Sequence, residues 1–596
     1  MQNEALAIAD VPFSVTTQIE RAPHWTMIRE LTMNAIEAAS KATGDKLVHW
    51  TSRNIDGVRK AVIWNTGPAM DAAQLKAATD LACRIDKDLG IDANFGVGAK
   101  VSSVANNKNG MRFRSCKNGK VSEVILGYDA SLKLYVRFVR ELENGVRDSV
   151  IDVTSLARRE GYNLSAEWTE VTLYGNSDNQ DTVARPITSL NTDKGFIATA
   201  LYRRFYRLPE GVKLKLDGSY HRLTDTRLLV PIGERYDRFA KTETIEVPAL
   251  NCAVHFLHDP SIGDKSGLRM SSRGALASST TTCCLVHKNE MYSVLTGSEW
   301  AAAAPHFGIP FGSKELCVHI ELADEEARPS QYRERLISPE SGGDITPLVY
   351  AFCVRDIMPD WVKEVIRNAS PRKTEDFSDI RRDLQELLNK YKVKVLGRKL
   401  DRDAGEPSVN KNGEEVWNPT GSGGRAEGNG NGDGSSRGIR RFRKAPEGAT
   451  TTSLYEVFER PPNFHMLIDP EEIASRGLKG RAAIFILETG DLFLNGLYEA
   501  VTRTLDDIEP EFVGAGDPEL IRELTTSEAR RQLAFRVGKA TVFALAKRAN
   551  EDWDEAALTA ALTKESLSIA ADNYLESLSA VRRRVKEGIK VVRLAA

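Results

Sequence analysis

The stretch ELTMNAIEA at residues 30–38 predicts a helix that ends near Gly44. Glu30, Asn34 and Glu37 have i, i+4 and i+7 spacing, so they share one side of this helix. The apolar residues of the stretch turn toward the opposite side, where we expect a core. A carboxylate and a carboxamide one turn apart can activate a water molecule and bind Mg²⁺ through oxygen. The same spacing is also typical of a solvated polar stripe.

Two later stretches place amide and glycine residues at the ends of regular elements. AVIWNTGPAM at 61–70 predicts a strand that runs into a Gly-Pro turn, with Asn65 and Gly67 at the strand end. NFGVGAK at 94–100 precedes VSSVA, which can begin a helix. Paired glycines before a helix N-terminus can hold a phosphate, and Lys100 adds a positive charge. Each stretch alone is also typical of an ordinary turn, and the GxxxxGK[ST] phosphate-binding motif is absent from the sequence.

In this order, the stretches resemble the motifs of the GHKL superfamily of ATPases (gyrase, heat-shock chaperone, histidine kinase, MutL). ELTMNAIEA at 30–38 resembles ExxxNxxDA, and NTGPAM at 65–70 resembles DxGxGM. NFGVGAK at 94–100 is similar to the glycine motif that closes the ATP lid, and WTEVTL at 168–173 resembles the fourth motif. The FGxGxK form is most similar to microrchidia proteins and phage rapid-lysis proteins. The resemblance covers about the first 175 residues.

The resemblance implies a Bergerat-type α/β sandwich that binds ATP with Mg²⁺ and hydrolyses the nucleotide. Glu30 would be the general base, and Asn34 would hold Mg²⁺, with Glu37 at the acidic position of the same motif. Residues 71–93 would form a mobile lid. The remaining nucleotide contacts implied by the resemblance are Asn65, Gly67, Met70 and Thr169 at the adenine and Phe95, Gly96, Gly98, Ala99 and Lys100 at the phosphates.

Three positions depart from the family pattern. Asn65 replaces the adenine-reading aspartate, Ala69 replaces a glycine, and Trp168 replaces the glycine before the motif threonine. The Asn65 carbonyl can still accept a hydrogen bond, but the negative charge is lost. Glu30 and Asn34 are both present, which favours hydrolysis. A non-hydrolysing ATP sensor is the alternative.

The predicted fold class is α+β, with a largely antiparallel first sheet and four domains. A GHKL-type ATP-binding domain at 1–225 would be followed by a transducer-like α/β domain at 226–399. Glycine-rich sequence predicts a flexible linker at 400–448. The C-terminal domain at 449–596 would be mostly helical, with short strands within 464–491 and long helices at 524–549 and 554–590. An Asn-Gly pair at 118–119 predicts a hairpin turn in the first domain.

The transducer-like domain contains a candidate sensor of the γ-phosphate. Relatives carry a basic side chain there, and EEARPSQYRER at 325–335 follows a predicted strand. Arg333 is our first choice for this role and Arg328 the second. A charged surface turn is the alternative interpretation.

The net charge of −2 does not predict a polyanionic partner for the chain as a whole. Local basic patches at 437–444 and 582–586 predict contact with DNA or RNA, by an ATP-gated homodimer. The alternative is a chaperone-like, phage or host-defence ATPase that acts on a protein client. The sequence shows no secretory signal and no apolar run of about 20 residues, so we expect a cytoplasmic protein without membrane contact.

Overall fold

The structure is a computed structural model that divides into two compact units. The first unit is Met1–Thr296 with Lys314–Pro347, and the second is Gly297–Ser313 with Leu348–Ala596. Helices and several sheets occur together, as expected for the α+β class. The described residues are 10–80, 102–141, 145–190, 192–221, 223–260, 276, 281–370, 376–391, 407–409, 415–417 and 460–595.

Most of the predicted linker at 400–448 lies outside the described residues, as does the basic patch at 437–444. Two short antiparallel strands, 407–409 and 415–417, are the described part of this region. The division into four domains stays a prediction. No helix within the described ranges is long and apolar enough to cross a membrane.

The first unit combines a large nine-stranded sheet, a smaller five-stranded sheet, two minor sheets of three and two strands, and helices. Its helices are α1 (Val11–Arg21), α2 (Met27–Ser40), α3 (Ala72–Ala78), α4 (Thr154–Arg159) and α5 (Phe196–Tyr202). Its first eleven strands are β1 (Leu47–Ile55), β2 (Val58–Thr66), β3 (Met111–Lys117), β4 (Lys120–Asp129), β5 (Leu134–Arg137), β6 (Arg140–Glu141), β7 (Arg147–Asp148), β8 (Val150–Asp152), β9 (Trp168–Leu173), β10 (Lys213–Leu216) and β11 (Arg227–Leu229). The later strands are β12 (Lys241–Val247), β13 (Cys252–His258), β14 (Thr282–His287), β15 (Glu290–Thr296), β16 (Leu316–Leu322), β17 (Arg328–Pro329), β18 (Leu336–Ile337) and β19 (Asp344–Ile345).

The large sheet has nine strands in the order β11-β10-β1-β2-β9-β3-β4-β5, with β8 also paired to β4. Only the β1–β10 pair is parallel, so the sheet is largely antiparallel as predicted. Buried Leu31 of α2 belongs to the same core as Ile63 of β2 and Val171 of β9. Helix α2 therefore covers the face of the sheet toward which these strand residues point.

The smaller sheet of the first unit has the strand order β12-β13-β16-β14-β15. Its β14–β15 hairpin turns at Lys288 and Asn289, both in the left-handed region. This hairpin contacts the segment after α5 through backbone hydrogen bonds. Tyr206 N–H donates to Asn289 O at 2.8 Å, and Met291 N–H donates to Arg204 O at 2.7 Å.

In its described residues the second unit is mostly helical, with a three-stranded sheet and the two-stranded sheet at 407–409 and 415–417. Its strands are β22 (Asn463–Leu467), β23 (Ala483–Ile486) and β24 (Asp491–Asn495), numbered after β20 (Pro407–Val409) and β21 (Glu415–Trp417). Its helices are α6 (Gly297–Ala303), α7 (Ala351–Asp356), α8 (Asp360–Ala369), α9 (Ser378–Lys390), α10 (Pro470–Ser475), α11 (Glu499–Ile508), α12 (Pro518–Ala549), α13 (Glu555–Ala561), α14 (Lys564–Asp572) and α15 (Leu578–Ala595). The short strands expected within 464–491 are confirmed, although the last of them extends to Asn495.

The predicted helix at 524–549 is confirmed as part of α12, but the single helix predicted at 554–590 is wrong. That segment forms α13, α14 and α15. Thr563 separates the first two because its hydroxyl accepts a hydrogen bond from Ser566 N–H and caps a new helix start. A 3₁₀ turn over Tyr574–Ser577 separates the last two. The helical periodicity of the sequence therefore hides two interruptions.

Candidate functional site

Helix α2 brings the first candidate residues to the face of the large sheet. Leu31 and Ala35 are buried in the core, as the apolar spacing predicted. Glu30 is only 8% exposed, whereas Asn34, one turn further along, is exposed. Glu37 is half-buried. The three polar residues therefore do not form the uniformly solvated stripe that was the alternative interpretation.

Three polar side chains form a row across adjacent strands beneath this helix layer. Asn65 of β2 is paired in register with Thr169 of β9, which is paired with Ser115 of β3. Asn65 lies two residues after Ile63 and Thr169 two before Val171, so both point to the face covered by α2. We call Asn65, Thr169 and Ser115 the polar row.

Hydrogen bonds tie the polar row together and connect it to the turn after β2. The Ser115 and Thr169 hydroxyl oxygens lie 3.0 Å apart. Met70 N–H donates to Ser115 Oγ at 2.8 Å, which holds the turn against β3. The Asn65 amide nitrogen donates to Thr66 O at 2.9 Å. Among the described residues no donor reaches the Asn65 carbonyl oxygen, so that oxygen is available as an acceptor.

Gly67 lies where strand β2 approaches the last turn of α2. Its φ is +121°, a conformation that residues other than glycine rarely adopt. A Cβ at this position would lie 2.1 Å from the carbonyl oxygen of Ala38. Glycine is therefore required here by both conformation and close approach, in addition to any contact with a ligand.

The bulky Trp168, which departs from the family pattern, does not fill the face of the polar row. Residues alternate along β9, so Trp168 and Glu170 point to the opposite face. There Trp168 stacks on Tyr162 with ring centroids 4.9 Å apart. Ala69, which also replaces a glycine of the family pattern, is buried, and its N–H donates to Glu167 at 3.1 Å.

Arginine–glutamate pairs lie on that opposite face. Arg114 is 2% exposed and contacts Glu123 and Glu160, each at 2.5 Å. Arg53 pairs with Glu170 at 3.2 Å. Burial raises the pKa of Glu123, but the charge and hydrogen bond of Arg114, together with Arg140 and Arg112, more than offset this and lower the pKa. Sequence spacing did not indicate this cluster, because its members come from five separate segments.

The glycine-rich candidates Phe95, Gly96, Gly98, Ala99 and Lys100 lie outside the described residues, and so does most of the predicted lid. Residues 102–104, immediately after them, are helical. The described start of the lid, α3, has Asp71 as its N-cap with a reciprocal bond to Gln74. Lys117 of β3 donates to Gln74 at 2.6 Å, which fixes this helix to the sheet.

Glu30 belongs to a buried charge cluster that the sequence did not indicate. Arg29 Nη1 donates to Glu30 Oε1 at 2.5 Å, and the same guanidinium also contacts Glu290 of β15. Arg204 contacts Glu290 as well, with Nε 2.6 Å from Oε2. Arg333, the first choice for a phosphate sensor, has Nη1 4.0 Å from Glu290 Oε1. We call these five residues the Glu290 cluster.

The charges of the cluster determine the ionisation of its members. Burial alone raises the pKa of Glu290, but the charges of Arg204 and Arg29 outweigh burial and lower the pKa to about 2. Burial lowers the pKa of Arg29, and the two carboxylates more than reverse this effect, so the pKa is raised. Both groups are therefore charged at neutral pH.

The two candidate sensor arginines occupy different surroundings. Arg333 is in a turn that begins at Ser330, where Arg333 N–H donates to Ser330 O at 2.8 Å, and its φ is +53°. Its side chain is 20% exposed and points toward Glu290. Arg328 is in the short strand β17 and is exposed. Of the two, Arg333 is the one that the fold brings to the Glu290 cluster.

No protein-family model matches this chain, and no curated protein matches it. A solved structure to which the chain is similar is the 43K ATPase domain of Thermus thermophilus gyrase B in complex with an aminocoumarin. The two share 13% sequence identity with a TM-score of 0.30, over 61% of this chain and 92% of that chain. A TM-score this low does not identify a shared fold.

Proposed function

We propose that this chain binds ATP with Mg²⁺ and hydrolyses the nucleotide at a Bergerat-type site of the first unit. The observation that carries the proposal is the polar row. Asn65 and Thr169, which two separate sequence motifs single out, are direct neighbours across β2 and β9. They lie on the face of the sheet covered by the helix that carries Glu30. The pairing of these two residues, which lie more than a hundred positions apart in the sequence, supports the proposal.

The chemistry of the polar row fits an adenine base. The adenine amino group is a donor and needs an acceptor, and the Asn65 carbonyl oxygen is available for it because the amide nitrogen is used by Thr66 O. Thr169 would support this contact, and its hydroxyl is held by Ser115. Gly67 and Met70 would line the base pocket from the turn after β2.

The catalytic assignments depend on α2. Glu30 would accept a proton from the attacking water, and Asn34 would supply one oxygen ligand to Mg²⁺. Mg²⁺ commonly takes few protein ligands and completes its shell with phosphate and water oxygens. The described residues contain no group of three or more His, Cys, Asp or Glu that could hold a metal ion by themselves.

The phosphate contacts of the glycine-rich loop are inferred from the sequence. The phosphate contact of Arg333 is inferred from its position in the fold. Phe95, Gly96, Gly98, Ala99 and Lys100 would surround the phosphates, as the resemblance implies. Arg333 would reach the γ-phosphate, and its approach toward Glu290 supports this assignment over Arg328.

The test is ATP binding and hydrolysis by purified protein and by Glu30→Gln. Removal of a general base reduces turnover by about 10²–10⁴-fold, whereas ATP binding should be retained. Glu141→Gln is the control, because Glu141 is an exposed glutamate that pairs with exposed Arg147. If Glu30→Gln hydrolyses ATP as fast as the parent protein, Glu30 is not the base.

A second variant tests the adenine assignment. Asn65→Ala should weaken ATP binding by about 1–3 kcal/mol, the cost of leaving a buried donor or acceptor unpaired. Asn65→Asp should restore the charge of the family pattern and tighten binding. Unchanged affinity in Asn65→Ala, measured by calorimetry, would move the adenine site elsewhere.

Nucleic-acid binding is a second candidate function. Helix α15 exposes Arg583, Lys586 and Lys590 at i, i+3 and i+7, which places three positive charges on one side. A basic helix face of this kind contacts phosphates, and its affinity falls steeply with salt. DNA and RNA binding that is insensitive to salt, or to a triple Glu substitution of these residues, would contradict this role. The homodimer and the protein client stay predictions.

A further inference from the structure

The carboxylate of Glu290 receives three arginines from three separate segments of the first unit. Arg29 comes from α2, Arg204 follows α5, and Arg333 comes from the turn after β17. Arg29 Nε donates to Glu290 Oε2 at 3.0 Å, and Arg29 Nη2 contacts the other oxygen. Arg204 lies over the ring of Tyr292 at 4.2 Å, which further limits its movement.

Backbone hydrogen bonds fix the position of Glu290 independently of its side chain. Glu290 begins strand β15 directly after the turn at Lys288 and Asn289, and it forms a β-bridge with Phe205. Asn289 O accepts from Tyr206 N–H, and Arg204 O accepts from Met291 N–H. The Glu290 carboxylate therefore reaches Arg29 only while the β14–β15 hairpin is docked on this segment.

Arg29 divides its donors between two carboxylates. Its Nε and Nη2 contact Glu290, and its Nη1 contacts one oxygen of Glu30. The planar guanidinium presents its donors in a fixed fork, so two contacts to Glu290 set the plane of the whole group. In this orientation Arg29 occupies one oxygen of Glu30 rather than both.

We propose that Glu290 is a positioning residue, which holds Arg29 away from a two-oxygen contact with Glu30 and so keeps the general base available for water. This inference rests on the proposed function, because it concerns Glu30 as the base. Without Glu290, Glu30 is the carboxylate that remains in the cluster, and the two freed donors of Arg29 can turn toward it. Docking of the β14–β15 hairpin thereby becomes a condition for fast hydrolysis.

A purely structural role predicts a different result. Glu290 is buried and carries its charge, so its loss also destabilises the fold. Destabilisation would reduce the amount of active protein, and a second substitution at Arg29 would not restore turnover. The positioning role predicts the opposite, since removal of Arg29 also removes the group that blocks Glu30.

The experiment measures kcat and KM for ATP in the full chain with Glu290→Gln, Arg29→Met and the double variant. We expect Glu290→Gln to lower kcat by about tenfold or more, a part of the ~10²–10⁴-fold that a general base supplies, while KM stays unchanged. The double variant should return to within a few-fold of Arg29→Met. Glu290→Asp, which keeps the charge but is one methylene shorter, should also lower kcat and serves if Glu290→Gln does not fold.

Glu321→Gln is the matched control. Glu321 is in the same sheet as Glu290 and pairs with Arg207 at 2.5 Å. Burial raises the pKa of its carboxyl, but His255 and Arg207 outweigh burial and lower the pKa to about 2. Glu321→Gln removes a less buried ion pair from the same sheet without changing a partner of Arg29, so kcat should stay at the parent value.

The outcomes separate the two proposals. A parent protein without ATP hydrolysis, or one unaffected by Glu30→Gln, overturns the proposed function and this inference with it. A parent that depends on Glu30, combined with an unchanged kcat in folded Glu290→Gln or Glu290→Asp, overturns this inference alone. A double variant that is as slow as Glu290→Gln likewise overturns this inference and leaves the proposed function standing.

Discussion

Replacement of Gly67 by alanine should separate strand β2 from the end of α2. The added Cβ would lie 2.1 Å from Ala38 O and 2.6 Å from Ala38 C, both backbone atoms that cannot rotate away. Real Cβ contacts are at least 3.0 Å, so the two segments must move apart by about 0.9 Å (3.0 − 2.1). Such overpacking costs about 1–3 kcal/mol. The positive φ of +121° adds about 1–2 kcal/mol for any residue with a Cβ.

Gly57→Ala provides the comparison that isolates the contact. Gly57, in the turn between β1 and β2, has a φ of +82°, and a Cβ there would meet nothing within 4 Å. Gly57→Ala should therefore lower the free energy of unfolding only by the cost of the positive φ, about 1–2 kcal/mol. Urea unfolding of both variants should show Gly67→Ala to be the less stable by about 1–3 kcal/mol. If the two variants lose the same free energy of unfolding, the close approach of β2 to α2 is wrong.

Three other predictions test the layers on either side of the large sheet. Ser115→Ala should lower the free energy of unfolding by about 1–2 kcal/mol, because the Met70 N–H and the Thr169 hydroxyl lose their partner. The same change should weaken ATP binding. A variant as stable as the parent would contradict the hydrogen bonds of the polar row. Glu290 should contribute about 3 kcal/mol above its unfolded pKa of 4.5, and this contribution should be lost as the pH falls through its folded pKa of about 2. Acid unfolding of Glu290→Gln should therefore be less steep than that of the parent between these pH values. Arg114→Met should cost about 1–3 kcal/mol, because buried Glu123 loses one charged partner and keeps Arg140 at 2.5 Å, whereas Arg59→Met, at an exposed pair, should cost under about 1 kcal/mol in the same urea assay.

Local structure could be predicted from the sequence where a few adjacent residues determine it. Asn118 and Gly119 have φ values of +50° and +75°, the two positive angles that a type I′ turn needs. The strands on either side pair with Lys117 opposite Lys120, as a two-residue loop requires. The helix of the first motif likewise follows from its apolar spacing. No distant residue is needed for either element.

The long-range part of the candidate site could not be predicted in the same way. Glu30 and Glu290 lie 260 positions apart in the sequence, and Arg204 belongs to neither of their segments. A charged residue in a helical pattern is expected at the surface, since a lone buried charge is costly. Only the partners supplied by other segments make burial possible. Ser115 was missed for a related reason, because a serine in a strand gives no signal until its neighbours across the sheet are known.

Glu30 and Glu290 are both buried carboxylates, but they differ in how many donors reach their oxygens. Glu290 is enclosed by arginines that satisfy both of its oxygens, which is the arrangement expected of a buried charge that orders the groups around it. Glu30 is almost as buried, yet among the described residues Arg29 alone donates to it, and to one oxygen. A buried carboxylate with one oxygen that receives no hydrogen bond lowers the stability of the fold, and a purely structural role gives nothing in return. A general base, in contrast, requires an oxygen that is not already occupied, so the incomplete pairing of Glu30 favours a chemical role.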